Sequence, residues 1–216
     1  MSVNTINKSM TVADAVKVNP ELMDVLAKDG IDFCCGGGHP LAEAIEAKGK
    51  DVDEYIAMLN TVQRAQKSSR AEVLSYSKEQ LIDYIVHNYH REQLDMIDEI
   101  DQGLEKLHYD HHGAELTEIY QTFLQLKSAL VPHFRHEEHV DFPEFKAGKP
   151  VDFDELRAEH EAAGVLLESL SALTNHYTAP ADGCATYVYV FKIMKALEEG
   201  LHEHIFLENS VLFEMP

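Results

Sequence analysis

The chain has 216 residues, with 18 Lys and Arg against 38 Asp and Glu, a formal charge of −20 at neutral pH. So acidic a surface repels phosphate backbones and anionic lipid, which argues against nucleic acid and membranes as partners. No run approaches the roughly 18 apolar residues of a membrane span, and the opening Met1-Ser2-Val3-Asn4-Thr5-Ile6-Asn7-Lys8 lacks the apolar core of a secretory signal, so the expected location is cytoplasmic.

Residues 1–66 read as a small domain of short helices. Thr11 with Asp14 forms a capping-box pattern, Pro20 after Asn19 opens a second helix and Gly30 stops it. Asp32-Phe33-Cys34-Cys35-Gly36-Gly37-Gly38-His39 follows, then a helix from Pro40 to Ala47 ended by Gly49, and one more from Asp53 to Gln66. Two thiols on a glycine-rich loop before a helix suit thiolate chemistry, iron uptake or redox exchange; the alternative is a glycine turn with packed cysteines, and the residues alone leave both open. The three cysteines do not read as a disulfide framework, and Cys184 reads as an ordinary packed helix residue.

Lys67-Ser68-Ser69-Arg70 is small and polar, so residues 67–76 are expected to be a linker and 77–216 a second domain. Its first helix runs from Ser77, with Gln80 as capping partner, to about Leu107. A polar turn with His108, His111, His112 and Gly113 follows. The second helix runs to about Val140, is expected to kink at Pro132 and ends at Pro143. A third spans Phe153 to Asn175, and a fourth carries Tyr187, Phe191, Met194, Leu197 and Leu201. No strand-length alternation interrupts these patterns, so the fold is expected to be all-α, an up-down-up-down four-helix bundle preceded by a small helical domain.

The chemistry lies in two repeats of His-x-x-x-Glu, His133 with Glu137 and His204 with Glu208, a spacing that puts both side chains on one helix face. The match extends to Val140 and Phe142 against Val211 and Phe213. An upstream histidine precedes each pair, His90 by 43 residues and His160 by 44, which marks an internal duplication. His87 competes with His90, but the i±4 neighbours of His90 are Val86 and Leu94 and those of His87 are Asp83 and Arg91. Buried carboxylates are costly unless paired, protonated or bound to metal. Four imidazoles with Glu137 and Glu208 therefore suit two transition-metal ions bridged by the carboxylates, iron being favoured over manganese or zinc. The thirteen histidines point the same way. Glu159, beside His160, reads equally as a group orienting a ligand and as a solvated surface charge. His136, His139 and His202 lie off the ligand stripe and read as surface residues.

These residues resemble the iron-sulfur cluster repair proteins built from a hemerythrin-like domain and an N-terminal Cys-Cys-Gly-Gly domain. Asp32-Phe33-Cys34-Cys35-Gly36-Gly37 is similar to the signature of the first domain. Tyr89-His90, His133 and Glu137 before Asp141-Phe142-Pro143, Glu159-His160, and His204 with Glu208-Asn209 are similar to the second. Direct succession of His90 by Arg91-Glu92 departs from some relatives and keeps His87 in play. The resemblance implies a non-haem centre of two irons, oxo- and carboxylate-bridged, in a stress protein that restores clusters damaged by nitric oxide or oxidants by supplying iron. Cys34, Cys35 and Glu159 would then be the reactive groups. Implied partners are damaged iron-sulfur proteins or a cluster scaffold, nitric oxide or oxygen as small ligand, and a second copy of the chain. The rival expectations are a nitric oxide or peroxide reductase and an oxygen or nitric oxide sensor.

Overall fold

The computed structural model of the chain describes residues 5–63, 69–111 and 113–216. The helix expected from Asp53 to Gln66 instead spans Val52–Leu59, with Asn60 as its C-cap; Gln66, the linker residues Lys67 and Ser68, and His112 lie outside the described residues. Among the described residues the regular elements are all helices, with one isolated bridge, Thr11 to Pro40. They form two compact units, residues 1–81 with 202–216 and residues 82–201.

In the first unit, helix α1 (Val12–Val18) is closed at its start by a full capping box between Thr11 and Asp14. Helix α2 (Leu22–Lys28) begins two residues after Pro20, because Asn19 takes up the intervening turn: its Oδ1 accepts from Glu21 N–H at 3.3 Å and its carbonyl from Leu22 N–H. Gly30, at φ +67°, provides the left-handed stop. A 3-10 turn (Cys35–Gly38), α3 (Leu41–Ala47) and α4 (Val52–Leu59) follow. Helices of seven or eight residues are unstable alone, and burial of Val12, Val16, Leu22, Leu26, Ile31, Leu41, Ile45 and Leu59 holds these together. Residues expected in the linker form a further helix, α5 (Ser69–Val73), where Arg70 pairs with both Asp24 and Glu203.

The second unit contains α7 (Arg91–His111), α8 (Ala114–His136), α10 (Phe153–Leu173) and most of α11 (Ala185–Ser210). Ile97, Ile100, Leu104 and Leu107 from α7, Phe123, Leu126, Leu130 and Phe134 from α8, Ala163, Leu167 and Leu170 from α10, and Phe191, Met194, Leu197 and Leu201 from α11 share one core. This is the expected four-helix bundle. Gly103 lets α7 approach α11, since a Cβ there would lie 2.3 Å from Val190 Cγ2.

Several local expectations are corrected. The first bundle helix does not end near Leu107: α6 (Lys78–Ile85), a π turn (Val86–His90) and α7 form one helical run to His111, so His108 and His111 are helical, not in a turn. Its start is as expected, with Ser77 Oγ accepting from Gln80 N–H at 3.3 Å and Gln80 Oε1 from Ser77 N–H at 2.9 Å. The second bundle helix holds Pro132 within it, as expected, but it does not end at Pro143: α8 reaches His136, and a second π turn (Glu137–Asp141) leads into α9 (Phe142–Lys146). Pro143 therefore sits in a first turn, where its missing N–H is tolerated, and Gly148 at φ +71° ends the run. The repeated Val and Phe positions also diverge, because after His204 the helix stops at Ser210 and a 3-10 turn (Leu212–Glu214) follows.

Candidate metal centre

Both π turns fall on the metal-ligand candidates. Arg91 N–H bonds to Val86 C=O and Phe142 N–H to Glu137 C=O, each five residues back, so each turn holds one residue more than an α-helix would. The extra residue rotates side chains around it by about a quarter turn relative to simple helical spacing. In the first turn His90 is fully buried, whereas His87 is exposed and directs Nδ1 to its own helix at Asp83 C=O, 2.8 Å. The His90 ring stacks on Phe134 at 4.6 Å between centroids and 11° between planes, and lies 5.9 Å from Phe142. These contacts leave Nε2 as its inward atom.

Glu137 Oε2 lies 3.5 Å from His90 Nε2 and 3.4 Å from His133 Nε2. His133 Nε2 is in turn 3.1 Å from His160 Nε2, two ring nitrogens directed at one point. At the end of α11, His204 Nε2 lies 2.9 Å from Glu208 Oε1. His90, Glu137, His204 and Glu208 have ligand atoms within 4.8 Å of one another, and so do His133, Glu137, His160 and Glu208. All six are buried, and the two glutamates belong to both groups. Two carboxylates among imidazoles in an apolar core carry a desolvation cost of several kcal/mol each, which cations would offset. Mixed nitrogen and oxygen donors at these separations fit first-row transition metals.

The outer nitrogens of two histidines are held as well. Glu159 Oε2 lies 2.6 Å from His133 Nδ1, and Glu138 Oε1 lies 2.9 Å from His90 Nδ1. A carboxylate on Nδ1 sets the tautomer that leaves Nε2 as donor to metal. Sequence reasoning missed Glu138; adjacency to Glu137 was the available signal, but the π turn decides where it points.

The cysteines differ from expectation. Cys34 is buried and its thiol is pushed well above the ordinary value by the contact with Cys35, by burial and by the Asp32 charge, the opposite of activation. Cys184 is not packed in a helix but exposed just before α11. Its pKa is lowered to about 7 by the Tyr187 N–H, by His111, whose Nε2 is 3.5 Å away, and by Thr186. His136 and His139 are exposed, but His202 is half-buried, with its ring 6.2 Å from that of Phe33.

A family model described as the hemerythrin HHE cation binding domain matches residues 81–215, and the ScdA_N domain, a domain of unknown function, matches residues 8–63. The chain is 34% identical to the iron-sulfur cluster repair protein YtfE of Escherichia coli over 90% of each chain. It is 30% identical to the iron-sulfur cluster repair protein ScdA of Staphylococcus epidermidis over 97% of this chain and 98% of that one. A probable iron-sulfur cluster repair protein of Haemophilus influenzae is 29% identical over 90% of each. Among the described residues no helix is long and apolar enough to cross a membrane.

Proposed function

The chain belongs to the hemerythrin-like iron-sulfur cluster repair family, and from that premise we propose that it repairs damaged clusters in the cytoplasm, holding two irons in its bundle and supplying iron to the damaged protein. The observation that carries this reading is the sharing of Glu137 and Glu208 between two histidine-containing groups, since shared carboxylates with separate histidines suit a pair of adjacent cations. His90 and His204 would serve one iron, His133 and His160 the other. When bound, the irons supply a redox couple whose oxidation state sets how firmly the ligands hold them.

The protein's own groups prepare that site. Glu138 and Glu159 fix the imidazoles through Nδ1, and the stacking of His90 on Phe134 keeps one Nε2 inward. Glu159 is half-exposed, so of the two carboxylates it is the better placed to exchange protons with solvent as ligands change state. In this reading Cys34 and Cys35 are the thiols that would meet the acceptor protein, through the half-exposed Cys35, and nitric oxide or oxygen would be the small ligand of the centre. Metal analysis of the chain against His204→Ala and Glu208→Ala, followed by iron transfer to a cluster-depleted iron-sulfur protein, tests the reading. It expects about two irons per chain, lost in both variants, and an acceptor that regains its cluster absorption. Iron unaffected by both substitutions, or an acceptor that gains none, would count against it.

A further inference from the structure

Asp32, Cys34 and Cys35 bring two sulfurs and a carboxylate oxygen within 4.8 Å of one another. The sulfurs are 3.9 Å apart. A tetrahedral ion with metal–sulfur bonds of about 2.3 Å spans about 3.8 Å between two sulfurs and about 3.5 Å between sulfur and oxygen. Asp32 Oδ1 lies 3.1 Å from Cys34 Sγ, so both edges are within about 0.4 Å of what one ion needs. A disulfide is further off, since it needs about 2.05 Å between the sulfurs.

The loop is built to hold this arrangement. Asp32 Oδ1 accepts from Cys34 N–H at 2.9 Å and Oδ2 from Gly36 N–H at 2.8 Å, fixing both oxygens. A Cβ at Gly36 would press on Oδ2 at 3.0 Å, and one at Gly37 would meet Ser210 Oγ at 3.1 Å and Ala13 Cβ at 3.2 Å, so glycine keeps the carboxylate and the loop seated. Phe33 anchors the segment edge-on to Phe206, with ring centroids 6.1 Å apart.

We propose that Asp32, Cys34 and Cys35 form a cation site of their own, taking one divalent ion of the iron, cobalt or zinc class through two thiolates and one carboxylate oxygen. Uptake releases the two thiol protons to solvent and transfers no electrons. Three protein ligands leave a fourth position for water or an incoming donor, the pattern of sites that exchange ligands rather than of closed structural sites. A bound cation favours the thiolate form of both sulfurs. The site deepens the reading of Cys34 and Cys35 as working thiols but does not depend on iron in the bundle.

Cobalt(II) is the probe, because thiolate ligation gives a near-ultraviolet charge-transfer band that histidine and carboxylate do not. Anaerobic titration of the fully reduced full chain is done in a Cys184→Ser background, so that the exposed thiol gives no signal. The expected result is the band at one cobalt per chain, retained in His204→Ala and abolished in Cys34→Ser with Cys35→Ser. Asp32→Asn is expected to keep the band but weaken cobalt binding by about tenfold or more, as loss of a metal-site carboxylate does. Absence of the band from the reduced, helical chain, or its survival in the double serine variant, overturns the proposal. Failure of the bundle to bind metal would sink the repair reading while leaving this band in place.

Discussion

Glu138 Oε1 lies 2.9 Å from Nδ1 of His90, and it reaches that nitrogen from the π turn that also bears Glu137. One turn thus supplies both a carboxylate in the two candidate metal groups and the carboxylate that holds the outer nitrogen of a histidine among them. Glu138→Gln is expected to weaken metal binding by about 10- to 100-fold with helicity unchanged. Competition against a chelator of known affinity measures this, and an affinity equal to the parent would show that the contact is incidental.

The same geometry separates two adjacent candidates. His90→Ala is expected to lose bound metal, whereas His87→Ala, exposed and satisfied by Asp83 C=O, is expected to retain it. Metal content of the two purified variants decides the matter, and the reverse pattern would move the ligand to His87.

Glu198 in α11 has its pKa raised to about 7, chiefly by burial, with Glu199 adding repulsion and Tyr177 opposing the rise. Between the ordinary value of 4.5 and about 7, the folded chain holds a proton that the unfolded chain has released. Stability from this group is therefore complete below about pH 4.5 and is lost as pH rises through 7. With allowance for solvent screening of a half-buried group, the loss is about 1 kcal/mol. Glu198→Gln is expected to flatten this dependence, read from urea unfolding at several pH values between 5 and 8.

Cys184 is exposed with a pKa lowered to about 7, while the Cys34 thiol is buried and raised. Iodoacetamide at neutral pH is expected to modify Cys184 first and Cys34 last, and His111→Ala is expected to slow the reaction at Cys184. Mass spectrometry of peptides over time gives the order. Faster labelling of Cys34 would contradict its burial.

Gly103→Ala places a Cβ 2.3 Å from Val190 Cγ2, a β-branched side chain with little room to turn. The expected cost is about 1–3 kcal/mol, seen as a lower urea midpoint with an unchanged slope.

Much of this molecule is legible in one dimension because helices impose short, fixed periods. The capping of Thr11 by Asp14 and of Ser77 by Gln80, the left-handed stops at Gly30 and Gly49, the core stripes and the two His-x-x-x-Glu pairs all arise within a few residues of one another. Groups brought together from distant parts of the chain were not legible in this way. Cys184 meets His111 across 73 residues, and His90 meets Glu138 across 48. The π turns were hidden for a related reason: a single inserted residue leaves the apolar pattern nearly intact yet turns the side chains around it, so it is visible only in the hydrogen bonds. The sequence by itself determined the helical elements and the pairing of each histidine with its glutamate, because both depend on the pitch of a single helix. Only the tertiary structure decided that Glu137 and Glu208 each lie in both candidate groups and which carboxylates hold the outer nitrogens, because those relations depend on packing between helices.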